Sequence, residues 1–161
     1  MTAGPRWLVL PALVLSTCAV GGCSFGGGGS AGVDPGMLVA ARQEATNFFS
    51  LDYRHADADV SRVLALATGT FKNQYAARRA EVISGVTSKQ LVVTATIPQD
   101  GAAVEFFDKT HGQVLIGVDV TTTTGTTGAN AGTNSVDRYR ARIILTKVGD
   151  RWLVSGLDQV G

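Results

Sequence analysis

Near Ser88 the spacing of the apolar residues changes from helical to strand-like, and this change constrains the fold more than any single motif. Upstream, Leu38, Ala41, Ala45, Phe48 and Phe49 recur at the spacing that lines one face of a helix. Asp34-Pro35 ahead of them predicts an N-cap followed by proline at the first helical position. A second, short helix is predicted from Asp57, whose carboxylate can cap it, with Val60, Val63, Leu64 and Ala67 on its inner side. Thr68-Gly69-Thr70 breaks that helix, and Thr70 can cap a third bearing Phe71, Tyr75, Val82 and Ile83, with Gly85 at its end.

Downstream, side chains alternate between two faces. Leu91, Val93, Ala95 and Ile97 predict a first strand, and Asp100-Gly101 a hairpin turn into Ala103 to Phe107. Lys109 to Gly112 makes the next turn. Val114, Ile116, Val118 and Val120 then share one strand face, as do Tyr139, Ala141, Ile143 and Leu145, and after Gly149-Asp150, Trp152 and Val154. Helices followed by an antiparallel meander give an α+β fold: about three helices on one face of a sheet of four to five strands. In the stretch 121–135 the threonines extend a strand, and the Gly/Asn half forms a hairpin tip that reads as a tolerated insertion or a partner-binding loop.

The face opposite the apolar set carries Arg138, Arg140 and Arg142, with Asp119 and Glu105 available on neighbouring strands. Cross-strand ion pairs on a solvated face account for the stripe. A docking surface for a partner's carboxylates is the sharper alternative.

Catalytic signatures are sparse. The chain has no nucleophile elbow, no His-Glu-x-x-His, no P-loop and no dinucleotide glycine fingerprint. Its two histidines, His55 and His111, fall in connections and make a poor metal site, so no metal or cofactor is expected. One cluster, Leu51-Asp52-Tyr53-Arg54-His55-Ala56-Asp57-Ala58-Asp59, gathers acids, a phenol and a histidine. Asp52 and Tyr53 could run proton transfer if both faced a pocket. Otherwise Tyr53 packs at the end of the first helix and the aspartates cap the second.

The N-terminus sets location. A head with one charge, Arg6, precedes an apolar run from Trp7 to Leu15, which fades through Ala19 into Val20-Gly21-Gly22-Cys23. Charged head, short apolar segment and small-residue cleavage site make a secretory signal over 1–22. The run falls short of the roughly 20 residues that a spanning helix needs. Val20 to Cys23 resembles the bacterial lipobox, with Cys23 the residue to be acylated; Leu15 to Cys18 is a poorer second candidate because Thr17 is branched. The Gly/Ser-rich stretch 23–33 is then a flexible tether, and the domain occupies 34–161. Loss of Arg6 leaves 14 − 1 = 13 basic against 13 acidic residues. Such a neutral domain has no electrostatic footprint for nucleic acid. With Cys18 removed and Cys23 acylated, no thiol remains for a disulfide or a nucleophile.

Four segments in order carry a family resemblance: Phe49-Ser-Leu-Asp-Tyr-Arg-His-Ala-Asp-Ala-Asp59, Ala67-Thr-Gly-Thr-Phe-Lys-Asn-Gln-Tyr75, Tyr139-Arg140 and Gly149-Asp-Arg-Trp-Leu-Val154. Together they resemble the Mce-associated (Mam) proteins of actinobacteria, over essentially all of Asp34 to Gly161. The resemblance implies the NTF2-like, cystatin-like cone, with helices cupped by a curved antiparallel sheet. Asp52, Tyr53, Phe71, Tyr75 and Trp152 become candidates for its cavity or walls. It also implies a non-catalytic accessory role beside Mce transporter subunits or other Mam-like proteins, which handle lipids at the cell envelope. A lipid or sterol carried in the cavity is the alternative, and an isomerase-like enzyme a third. Many members carry a transmembrane helix where this chain has a lipobox, so lipid anchorage at the extracytoplasmic membrane face is expected.

Overall fold

The structure, a computed structural model, describes residues 32–125 and 134–160. Cys23, the signal segment, most of the tether and the glycine-rich part of the 121–135 stretch lie outside the described residues. Four helices pack against one antiparallel sheet. The helices are α1 (Pro35–Phe49), α2 (Ala56–Leu66), α3 (Gly69–Ala77) and α4 (Arg79–Ser88). The strands are β1 (Leu51–Asp52), β2 (Leu91–Thr96), β3 (Ala102–Phe107), β4 (His111–Thr124), β5 (Asn134–Val148) and β6 (Arg151–Gln159). The order across the sheet is β1-β2-β4-β5-β6, with β3 also on β4.

The expected alternation forms the core. Val114, Ile116, Val118, Val120, Ala141, Ile143, Leu145, Trp152 and Val154 are all buried and meet Met37, Ala41 and Ala45 of α1. The N-cap expected at Asp34 is present: its carboxylate accepts from the Gly36 N–H at 2.9 Å, with proline following. The same carboxylate accepts from Trp152 Nε1 at 2.8 Å and Lys147 Nζ at 2.9 Å. Cap and sheet anchor are therefore one group. These bonds, with that from Trp152 foremost, hold the carboxyl at a pKa of about 2.

Several expectations about the helices need correction. The third helix is two, because the chain turns at Arg78, whose N–H reaches both Gln74 O (3.3 Å) and Tyr75 O (3.1 Å). Thr68, rather than Thr70, occupies the N-cap of α3, and Gly85 lies inside α4. Asp57 does not cap α2. His55 holds that position without a side-chain cap, and Asp57 instead receives Arg79, whose Nε donates to it at 3.1 Å.

The largest correction concerns Asp100-Gly101. It makes no β2–β3 hairpin, because both strands run antiparallel to β4 along the same edge. Thr96 pairs with Asp119 and Ala102 with Ile116, so the five residues 97–101 stand opposite the two residues 117–118. This bulge closes on itself through the Gly101 N–H to Pro98 O at 2.9 Å, and Gly101 O accepts from the Gly117 N–H at 2.8 Å. Arg42 of α1 braces it, donating to Pro98 O at 3.1 Å and Gln99 O at 2.6 Å. The cause is the length of β4. Its threonines, predicted to extend it, do so, and its 14 residues can satisfy both short strands.

Two glycines test this packing. A Cβ on Gly112 would meet Met37 Sδ at 2.0 Å inside the core, whereas one on Gly85 meets nothing within 4 Å. Gly112→Ala should destabilise by about 1–3 kcal/mol. Gly85→Ala, in a helix interior, should stabilise by about 0.5–1 kcal/mol. Urea unfolding of the two variants checks both signs.

Candidate functional site

The helical layer encloses an aromatic cleft. Phe48 of α1, Phe71 and Tyr75 of α3, Val82 of α4, Leu157 of β6 and Leu51 line a cavity of about 390 Å³, with Gln74 and Arg78 beside them. The Phe48 ring lies 5.6 Å from that of Tyr75 and 6.2 Å from that of Phe71. Phe49, on the next position of α1, stacks on Tyr139 at 5.8 Å. Consecutive phenylalanines thus serve different ends, one walling the cleft and the other joining α1 to the sheet. Arg78 forks onto Glu81 at 3.2 and 3.3 Å, leaving the mouth of the cleft with an ion pair instead of a bare cation.

One helical turn before Phe48, on the same face of α1, Glu44 is fully buried. Among the described residues neither of its carboxyl oxygens has a hydrogen-bond partner. Burial pushes its pKa up to about 8, and Asn47 one turn on only softens the effect. Burial, followed by the neighbouring Glu44 and Asp59, also pushes the Tyr75 phenol up to about 12. At neutral pH the inner face of the helical layer therefore holds a neutral acid and a neutral phenol. Glu44 was missed in the sequence, although an acid at helical spacing between Ala41 and Phe48 is the signal that finds it.

The Asp52–Asp59 cluster does not converge on this cleft. Asp52 accepts from Arg54 Nε at 2.9 Å, from Arg54 Nη2 at 2.5 Å and from the Arg54 N–H at 2.9 Å. These contacts, the Arg54 side chain foremost, hold its pKa at about 2, so it cannot act as a base near neutrality. Tyr53 lies under the Arg54 guanidinium at 5.7 Å and lines a separate depression with His55 and Ile83. Asp59 is buried, accepting from the Asp52 N–H at 2.7 Å and pairing with Arg62 at 2.7 Å. The acids thus brace the junction of β1 and α2. Trp152, the remaining candidate, sits at the other end of the molecule on Asp34.

The arginine stripe is also divided. Arg138 stands opposite Asp119 in the ladder and bonds it at 2.6 Å. Arg142 bonds Glu105 of β3 at 2.5 Å. Each arginine pulls its partner carboxyl below the usual range. Arg140, between them and opposite Gly117, has no side-chain partner among the described residues. Cross-strand pairing thus takes up two of the three. Among the described residues no group of three or more His, Cys, Asp or Glu side chains could hold a metal ion.

The buried acid yields a pH test. Folded Glu44 keeps its proton up to about pH 8, whereas an unfolded glutamate loses it near 4.5. Between those values the folded state binds more protons, so stability falls as pH rises through this window and levels off above it. Moving a carboxyl from 4.5 to about 8 corresponds to roughly 5 kcal/mol, at about 1.4 kcal/mol per pH unit. Glu44→Gln should flatten this dependence, gaining stability over the parent at about pH 9 but not at about pH 5 in urea unfolding.

Comparison with known proteins adds the family and the fold. A family model described as "Uncharacterized protein Rv1363c/MT1408-like" matches residues 34–160. The uncharacterized protein Rv1363c of Mycobacterium tuberculosis is 27% identical over 124 residues, which is 77% of this chain but 45% of the relative. This chain thus spans about half the length of that relative. Among solved structures, the periplasmic domain of DotI superposes with a TM-score of 0.60 at 16% identity, covering 76% of this chain and 91% of that domain. CagV of Helicobacter pylori, a VirB8 homologue of a type IV secretion system, gives 0.59 at 10% identity, covering 77% and 95%. At such identities the likeness concerns the fold, and four helices on a curled antiparallel sheet are the NTF2-like architecture expected from the sequence.

Proposed function

We propose that this chain, which belongs to the Rv1363c/MT1408-like family, is a non-catalytic accessory protein of the cell envelope, lipid-anchored through Cys23 and docking on a multi-subunit membrane assembly. The observation that carries the reading is the open outer face of the sheet. Leu115, Ile144 and Leu153 are half-buried there, beside the Arg142–Glu105 pair, which is already satisfied within the chain. Arg138 has 79% of its side chain exposed, and Arg140 is exposed and has no side-chain partner among the described residues. Apolar patches bounded by polar groups are what protein-binding surfaces offer. An exposed arginine such as Arg140 gives such a surface its orientation, because its planar fork matches a carboxylate. The fold is one that the periplasmic domain of DotI and CagV, a VirB8 homologue of a type IV secretion system, also have. The Mam-like motifs make an Mce-type lipid importer the assembly we favour.

The aromatic cleft supports a second reading. Its apolar lining and volume of about 390 Å³ suit a small apolar molecule, so the domain would carry a lipid between partners.

Affinity purification from the native envelope, with mass spectrometry of proteins and bound lipids, separates the readings. Docking predicts Mce subunits at stable stoichiometry, and Arg140→Glu should lower their recovery at least about tenfold while leaving the melting temperature unchanged. Recovery of the bait alone would overturn it. Carriage predicts a co-purifying lipid, lost on Phe48→Trp. Cys23→Ala should abolish fatty-acid labelling and release the protein from the membrane.

A further inference from the structure

Two hairpin tips lie side by side at one end of the sheet. The β3–β4 turn and the β5–β6 turn are joined there by the Lys147 N–H, which donates to Thr110 O at 2.7 Å. This end carries three of the five large apolar side chains that stand exposed among the described residues: Phe106 at 48%, Phe107 at 40% and Val148 at 50%. The chain also enters the domain here. A Cβ on Gly32 would lie 4.0 Å from the Phe107 ring, and Asp34 is tied to Lys147 and Trp152 of the β5–β6 hairpin.

We infer that this end is the domain's membrane-seating surface, with Phe106, Phe107 and Val148 entering the interfacial layer of the bilayer. The inference rests on acylation of Cys23. From Cys23 to Gly32 there are 32 − 23 = 9 residues, which reach about 30 Å at full extension. The hairpin end is therefore held within a short distance of the lipid headgroups. The opposite end of β5, 148 − 134 = 14 residues away, stands about 45 Å farther along the strand. Only one end of the domain is thus presented to the bilayer, and it is the end with the exposed aromatic side chains.

Charge decides what kind of lipid surface fits. Lys109, Lys147 and Arg151 are balanced at this end by Asp34, Asp108 and Asp150, so attraction to anionic lipid contributes little. Phenylalanine and valine side chains supply an apolar face that sinks shallowly past the headgroups, and the lysine and arginine stems can extend their charges toward water. Shallow apolar insertion would add a second, weaker contact to the acyl anchor and set the tilt of the domain. The arginine stripe of β5 would then run up and away from the membrane, towards partners.

The test uses the full lipidated chain in phosphatidylcholine vesicles, with an NBD fluorophore on a cysteine introduced by Val148→Cys or, as a far-end control, Lys89→Cys. Flotation with the vesicles reports the anchor, and NBD emission reports seating. Seating predicts a blue shift and severalfold brightening at position 148 only. Phe106→Asn with Phe107→Asn should abolish both without loss of flotation. Adding phosphatidylglycerol should change the shift by less than about twofold, as the balanced charge requires. A floated chain whose two probes both report water would overturn the seating and leave the anchor standing. A chain that fails to float would overturn the anchor, and with it the seating that depends on the tether.

Discussion

A single carboxylate fastens the helical layer to the sheet. Asp34 receives an amide from the first turn of α1, an indole N–H from β6 and an ammonium from β5. The helix dipole favours a negative charge at that place, and the two side-chain donors fix where the helix begins relative to the last hairpin. From that point α1 runs across the concave face, and its inner side chains meet all three long strands. At its far end Phe48 and Phe49 separate cleft from core. The cleft therefore inherits its geometry from a cap at the opposite end of the helix.

Much of the framework was readable from apolar spacing. The inward rows of β4, β5 and β6 and the start of α1 follow directly from alternation and from Asp34-Pro35, because those elements bury one continuous face. Errors arose where local chemistry competed with distant pairing. Asp100-Gly101 has the composition of a hairpin turn, yet a long partner strand and Arg42 make it a bulge. Thr70 and Asp57 are good caps by type, but the N-caps fall two residues earlier, at Thr68 and His55, which make no side-chain caps. At the candidate site, the arginine stripe and its two acids were legible because strand register follows from the same alternation. The acid of Glu44 was not, since reading the stripe by its apolar members passes over a charged one.

The distribution of charge separates structural from presented groups. Asp52, Asp59, Glu105 and Asp119 each hold a cation of the same chain: the last two pair across strands, and Asp59 also ties α2 to β1 through the Asp52 N–H. That leaves a domain whose charged side chains are mostly committed internally, with few groups free to set the orientation of a partner. It also explains how a neutral domain can carry so many ionic side chains without a polarised surface. Glu44 is the exception inside, kept neutral by its surroundings instead of by a counter-ion.

The bulge between β2 and β3 has a consequence for crowding. Anchorage of the kind proposed at Cys23 confines a protein to two dimensions and raises the frequency with which neighbours collide edge to edge. An unbroken strand at a sheet margin is a template for another strand, and through it for aggregation. Here the margin beside β4 is cut into two six-residue pieces, and the carbonyls at the break are occupied by Arg42. At the other margin, the chain between α2 and α3 lies against β6, with the Thr68 N–H on Val154 O at 2.7 Å. Neither side offers a long, free ladder, so the domain can be held at high surface density without its sheets fusing.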